Sequence, residues 1–285
     1  MKNVGIIGLG LMGGSFGRML VKNGENRVFG ADNDPSVVVK ARLLKAFDEQ
    51  LSDDNLAKTD ILIIAVYPKA VDGILESVLP KLKKGAVVID FCGIKRPVTE
   101  IMKKYSQEYK DISFIGGHPM AGREYSGISR SSVNLFSRAS MILVNVNADV
   151  RTLSDTKKFF ISCGFERVEF TTSEIHDEII AYTSQLCHVA SNAFIKSPTA
   201  EKHFGFSAGS YKDLTRVARL NPDMWADLMT ENSDKLSGEL SLYIENLTAY
   251  KNALERKDKQ KLKELLKEGN DRKIMLDDNN SGDKK

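Results

Sequence analysis

Cysteine is scarce in this chain of 285 residues: Cys92, Cys163 and Cys187 are an odd number and show no C-x-x-C spacing. Neither a disulfide framework nor a thiolate zinc site is therefore expected. The four histidines form no H-E-x-x-H, so they give no metal motif. Long apolar runs are also missing. The longest, Ile61 to Tyr67, reads as a buried strand and falls far short of the roughly 20 residues a membrane span needs. Charge of one sign is not in excess: the net value is +3, with lysines scattered among acids, which argues against a nucleic-acid partner. The chain enters its first strand within a few residues, so no signal peptide is expected and the protein reads as reduced and cytoplasmic. Charged and hydrophobic fractions of 28% and 42% are those of a soluble protein with length enough for two domains.

Glycine is concentrated where it carries meaning. Val4-Gly-Ile-Ile7 is a short apolar strand that runs into Gly8-Leu9-Gly10-Leu11-Met12-Gly13-Gly14. This is G-x-G-x-x-G with a strand before it and helical sequence after it, the context of a dinucleotide-binding fingerprint. Gly8 permits the tight turn, Gly10 lets the backbone approach a pyrophosphate, and Gly13 allows helix and strand to pack closely. Leu11 and Met12 lie in the glycine-rich turn that leads into the helix, whose free N–H groups and dipole favour the anion. A second strand, Arg27 to Ala31, ends in Asp32, where an acid that binds the ribose is expected. Asn33, Asp34 and Pro35 follow, with no Arg or Lys to receive a 2′-phosphate, so NAD is favoured over NADP.

Strand candidates at 4–8, 27–31, 61–66, 86–90, 112–116 and 141–146 alternate with helical stretches at 13–22, 35–45, 68–79 and 96–107. Near-continuous apolar strands alternating with helices indicate a doubly wound parallel sheet, an α/β Rossmann-type domain over residues 1–170. The strand ending at Val66 delivers the chain to the carboxyl edge of the sheet, where such folds bind ligands, and Val66 is placed beside the cofactor. From Thr171 helical spacing takes over. Glu174 to Ile195 reads as one long helix with an apolar stripe at Ile175, Ile179, Ile180, Leu186, Ala190, Ala193 and Phe194, capped by Ser173. Leu236 to Leu266 reads as one or two more helices. An all-α domain over 171–272 with long apolar stripes is expected to make a homodimer, an intrachain bundle being the alternative. Residues 273–285 are polar and read as a disordered tail.

Phe114-Ile-Gly-Gly-His118-Pro-Met-Ala-Gly-Arg-Glu124 ends an apolar run in glycines, a histidine and a proline. His118 is therefore expected on a sharply turned loop just past a strand, a common place for a working side chain. The alternative is a loop histidine that satisfies a local hydrogen bond. In the helical half, Ser184 and His188 stand at i and i+4 on one helix face. Asp213 and Arg216 stand at i and i+3. Arg216 can clamp a carboxylate in a two-pronged contact, with Asp213 holding its guanidinium. A solvated ion pair for Asp213–Arg216 and a core-edge histidine for His188 remain the plainer readings.

Together these pieces resemble the prephenate dehydrogenase family with its arogenate and cyclohexadienyl relatives. The matching stretches are Gly8 to Gly14, His118 to Glu124, Ser184-Gln-Leu-x-His188, Asp213-Leu-Thr-Arg216, and Met224-Trp225 with Asn232 following. The resemblance implies NAD-dependent oxidative decarboxylation of prephenate to 4-hydroxyphenylpyruvate in tyrosine biosynthesis, and a Rossmann domain followed by a helical dimerisation domain. It implies His118 as the base on the ring hydroxyl. Arg216 would take one substrate carboxylate, and His188 and Ser184 would act as donors around the ring and side chain. Glu124 is implied near Arg216, paired with it when substrate is absent. Two positions depart from the pattern: Gly93 stands where many members carry a serine that holds the ring hydroxyl, and Cys187 stands where proline is frequent, which is expected to relax the helix. Arogenate or broad cyclohexadienyl activity stays open as an alternative. So does a catalytically silent NAD-binding sensor, against which His118 beside an intact fingerprint argues.

Overall fold

The computed structural model describes residues 1–123 and 125–282, with side chains described to 278. The chain divides into two compact units, one spanning Met1–Ser233 and a second from Asp234.

The first unit is built on one eight-stranded sheet. Its strands are β1 (Asn3–Ile7), β2 (Arg27–Ala31), β3 (Glu49–Gln50), β4 (Ile61–Ile64), β5 (Val87–Asp90), β6 (Ser113–Pro119), β7 (Ser140–Asn145) and β8 (Arg167–Thr171). The order is β3-β2-β1-β4-β5-β6-β7-β8. The first six strands are parallel and follow the order of a dinucleotide-binding fold; β7 runs antiparallel to β6, and β8 parallel to β7. Strand β4 is Ile-Leu-Ile-Ile with every residue buried, as expected for a strand covered on both faces. One face is filled by Phe16, Phe91, Phe136, Phe159 and Phe160, whose rings meet mostly edge to face, and the other by residues such as Leu62, Leu75, Val98 and Phe114.

The helices of this unit are α1 (Leu11–Asn23), α2 (Pro35–Leu43), α3 (Asp53–Leu56), α4 (Val71–Val78), α5 (Arg96–Glu108), α6 (Val150–Ser162), α7 (Ser173–Ile180), α8 (Cys187–Phe194), α9 (Gly209–Thr215) and α10 (Pro222–Glu231). The second unit is a pair of helices, α11 (Ser233–Glu255) and α12 (Lys259–Gly282), joined where Lys257 takes a left-handed conformation; the Tyr250 hydroxyl donates to the Leu265 carbonyl at 3.1 Å.

Several expectations are corrected. The compact units divide at 233/234, within the stretch expected as the helical domain, and α7 and α10 carry buried polar contacts within the first unit. Helix α12 runs to Gly282, across residues from 273 that read in the sequence as a polar tail, and carries the i, i+4 pairs Lys267–Asp271 and Lys273–Asp277. His118 lies within β6 rather than on a loop, since it pairs with Ile142 of β7. The helix expected over 174–195 is interrupted: residues Ala181–Leu186 widen into a π-turn between α7 and α8. Its N-cap is Thr172, whose hydroxyl accepts the Ile175 N–H, and not Ser173. The expected stripe is divided between two faces, with Ile180 and Leu186 buried. Ile175 and Ile179 are 49% and 52% exposed, and the buried face carries His176, Asp177, Ile180 and Ala181.

Candidate active site

At the end of β1 the chain turns at Gly8 with φ 90°. A Cβ here would lie 2.4 Å from the Ala65 carbonyl oxygen and 2.8 Å from Val66 Cγ1, so the turn admits only glycine. A Cβ on Gly13 would lie 1.9 Å from the Gly8 oxygen, which is how closely α1 approaches the strand turn. Gly10 differs: a Cβ there would meet nothing within 4 Å, so open space lies over its backbone. Helix α1 begins at Leu11 and Met12 with no side-chain cap and no acid in its first turn, leaving its N–H donors and positive dipole end to an anion. Asp32 stands against this turn; its Oδ2 accepts the Leu9 N–H at 2.7 Å and its Oδ1 the Asp34 N–H at 3.0 Å. Each oxygen keeps a lone pair for a hydroxyl. Val66 is fixed from behind by the Cys92 thiol, which donates to its carbonyl at 3.3 Å; burial pushes that thiol well above its ordinary pKa and keeps it neutral.

His118 sits at the carboxyl end of β6, three strands from β1 and so about 14 Å across the sheet. Its Nδ1 lies 2.9 Å from Nε2 of His176 on α7, and His176 Nδ1 lies 2.6 Å from Asp177 Oδ1. Asp177 is fully buried and accepts widely: Lys95 N–H at 2.7 Å on Oδ1, and Arg96 N–H at 2.9 Å on Oδ2 with the Arg96 Nε–H at 3.3 Å. It thereby caps the start of α5 from another element. Burial alone would raise its pKa; hydrogen bonds from His176 and from the Arg96 and Lys95 backbone outweigh it and lower the net value. His118 is held well below the ordinary histidine pKa, first by burial and then by His176 and Lys95; His176 is lowered by burial. Neutral His118 has no partner on Nε2 among the described residues, so this nitrogen can take a proton.

Beneath His118, Lys95 Nζ contacts Asp90 and donates to the Gly117 carbonyl at 2.6 Å, while Asp90 accepts the Gly117 N–H at 3.1 Å. Both charged side chains are wholly buried. Gly117, the residue preceding His118, is thus gripped at both of its backbone polar groups. Beyond β5, a Cβ on Gly93 would meet Leu228 of α10 at 3.5 Å, an ordinary contact, so no crowding imposes glycine there.

The helical wall carries the other residues. His188 Nδ1 donates to the Ser184 carbonyl at 2.9 Å, and its ring lies 3.9 Å, centre to centre, from that of Trp225. Burial, and secondarily Arg216, lower its pKa. Neutral His188 therefore presents Nε2 as an acceptor; the donor role expected of it requires protonation. The Ser184 contact runs through the backbone carbonyl, not the hydroxyl. The π-turn carries Gln185, which donates to the Leu228 carbonyl at 3.0 Å and accepts from Asn232 at 2.8 Å; Asn232 in turn accepts from Arg96 at 2.7 Å. Arg216 follows α9 on a segment held by Ser191, donating to Leu214 O at 2.7 Å, and by Asn192, donating to Ala218 O at 3.2 Å. Three residues on, the Arg219 guanidinium lies 5.0 Å from the Tyr125 ring centre, joining this segment to the loop after His118. Asp213 is exposed on α9, and Arg216 begins the short 3-10 turn, Arg216–Ala218, that follows it. Glu124 lies outside the described residues. No cluster of metal ligands occurs among the described residues, and no helix there is long and apolar enough to cross a membrane.

The sequence matches the description "Prephenate dehydrogenase, nucleotide-binding domain" over residues 16–168 and "Prephenate dehydrogenase, dimerization domain" over 172–268. The chain belongs to the prephenate dehydrogenase family. Cyclohexadienyl dehydrogenase of Zymomonas mobilis is 27% identical over 96% of this chain and 96% of its own. Prephenate dehydrogenase of A. aeolicus, solved in complex with hydroxyphenyl propionate and NAD+, is 27% identical with a TM-score of 0.84, covering 97% of this chain and 98% of that one. Arogenate dehydrogenase of Synechocystis is 25% identical with a TM-score of 0.79, covering 96% and 99%. The chain is thus an oxidoreductase of this family. Sequence reading missed His176, Asp177, Gln185 and the Lys95–Asp90 pair. The adjacent His-Asp at the face of α7 shared with Ser173 and Ile180 was the available signal.

Proposed function

We propose that this chain converts prephenate to 4-hydroxyphenylpyruvate and CO2 with NAD as oxidant, as a cytoplasmic homodimer. The observation that carries this reading is a neutral histidine, His118, with one free ring nitrogen at the carboxyl edge of a nucleotide-binding sheet. NAD fits the residues present, held by the Gly8, Gly10 and Gly13 backbone, Leu11 and Met12 at the start of α1, Val66 and the Asp32 carboxylate. When bound, it supplies the acceptor for a hydride from the substrate ring carbon that bears the hydroxyl.

The protein's own part is to manage charge. Nε2 of His118 holds the hydroxyl proton as the ring carbon becomes electron-poor, and returns it to the phenol oxygen once loss of CO2 has made the ring aromatic. No net proton is lost, so no strong acid is needed. Arg216 binds a substrate carboxylate and fixes the ring against His118, which lowers the entropy cost of reaction. Glu124 and Ser184 are assigned to the same substrate pocket, with no partner role for Asp213 beyond its place on α9. The exposed Ile175, Ile179 and Tyr182 of α7 and the π-turn support the dimer reading, since a monomer would leave them in water.

His188 favours arogenate as a second reading. Its Nε2 is an acceptor, which suits the ammonium of arogenate better than the ketone of prephenate. NADH formation measured with each compound tests both; no turnover of either would refute the function.

A further inference from the structure

We infer that His176 and Asp177 are positioning residues that set the tautomer of His118 so that its Nε2 is bare, and that they accommodate the charge His118 takes up. The inference rests on the proposed base role of His118 and adds how that role is built.

The hydrogen bonds allow one assignment. Asp177 is surrounded by donors: the Lys95 and Arg96 backbone N–H groups and the Arg96 side chain all point at its two oxygens. A carboxylate so placed is ionised and only accepts, so the 2.6 Å contact from His176 Nδ1 must be an N–H donated by His176. His176 is buried and neutral, which leaves its Nε2 a lone pair. The 2.9 Å contact to His118 is then an N–H donated by His118 Nδ1. Neutral His118 carries one proton, and it is on Nδ1. Nε2 is bare because Asp177, two residues removed along the chain of contacts, is charged.

The same line serves the reaction. When the substrate hydroxyl proton moves to His118 Nε2, the resulting cation lies one hydrogen bond from His176 and two from the Asp177 carboxylate. Lys95 and Arg96, the other charges packed here, are cationic and would oppose that charge; Asp90 already faces Lys95. Asp177 is therefore the anion that offsets it. The proton returns along the same contact to the phenol oxygen, so nothing is consumed.

The direct test is 15N NMR of the wild-type protein labelled at its four histidines, with His118→Asn and His176→Gln to assign the signals. His118 and His176 are both expected as Nδ1–H tautomers above neutral pH, the minority form in free histidine. A His118 protonated at Nε2 would overturn the inference. Kinetics provide a second readout. Glutamine at 176 keeps a carbonyl to accept the Nδ1–H and leucine does not. His176→Leu should lose at least about 100-fold in kcat with KM little changed, and His176→Gln should stay within about tenfold of wild type. Equal losses in the two variants would contradict the account. The NMR result needs no substrate, so failure of turnover with both prephenate and arogenate would refute the function and leave the tautomer assignment standing.

Discussion

Lys95 and Asp90 form an ion pair with no solvent exposure on either side chain, and between them they hold the carbonyl and the N–H of Gly117. The residue that follows Gly117 is His118. A buried charge left without its partner is far costlier than the intact pair is favourable.

Lys95→Met should therefore destabilise the protein by about 3–5 kcal/mol, while Lys95→Met with Asp90→Asn should recover much of the loss. Urea unfolding of the three proteins measures this. A single variant as stable as wild type would show that Asp90 is solvated or protonated in the fold.

Asp32 is expected to decide between cofactors. Its carboxylate stands at the fingerprint turn with lone pairs for two ribose hydroxyls and would repel a 2′-phosphate. NAD should be preferred to NADP by at least about tenfold in kcat/KM, roughly 1.4 kcal/mol, and Asp32→Ala should shrink that ratio. Equal efficiency with both cofactors in the wild type would remove Asp32 from the ribose.

Arg216→Ala should raise KM for prephenate at least about tenfold and leave KM for NAD nearly unchanged. Arg216→Lys should restore only part, because an ammonium lacks the planar two-pronged geometry. Loss of NAD affinity with prephenate untouched would move Arg216 to the cofactor side.

The fingerprint was legible in the sequence because only glycine tolerates the φ of Gly8 and the close approach at Gly13. The segment Gly-Gly-His-Pro likewise marked His118, although pairing of β6 with β7 keeps it in the sheet. The support behind His118 was not legible. Ile175 and Ile179 marked the apolar stripe, and α7 turns them outward while it buries His176 and Asp177. Polar residues on a buried helix face follow from the donors waiting on α5, which are distant in sequence. Lys95 looked like one of many lysines, and nothing local shows that it is enclosed. Strand β3 is only two residues long, too short for any alternation to show.

Stability should fall as pH drops through the ordinary histidine range near 6.5. His118 and His176 have folded pKa values below their unfolded ones, chiefly through burial. The unfolded chain thus binds more protons there, and stability is lost as pH decreases. Urea midpoints for wild type and His118→Asn should converge toward acid pH, the variant having the shallower dependence. Identical pH dependence in the two would mean that His118 is not held neutral by the fold.

The most direct measurement of the central claim is the steady-state rate of NADH formation from prephenate by wild type and His118→Asn, with arogenate alongside. The wild type should turn over at least one of the two, with an acid limb in kcat/KM below the ordinary histidine pKa. The variant should bind NAD and substrate normally and lose roughly 10²–10⁴ in kcat. A variant within a few-fold of wild type would contradict the account, reducing His118 to a strand residue that only holds its neighbours.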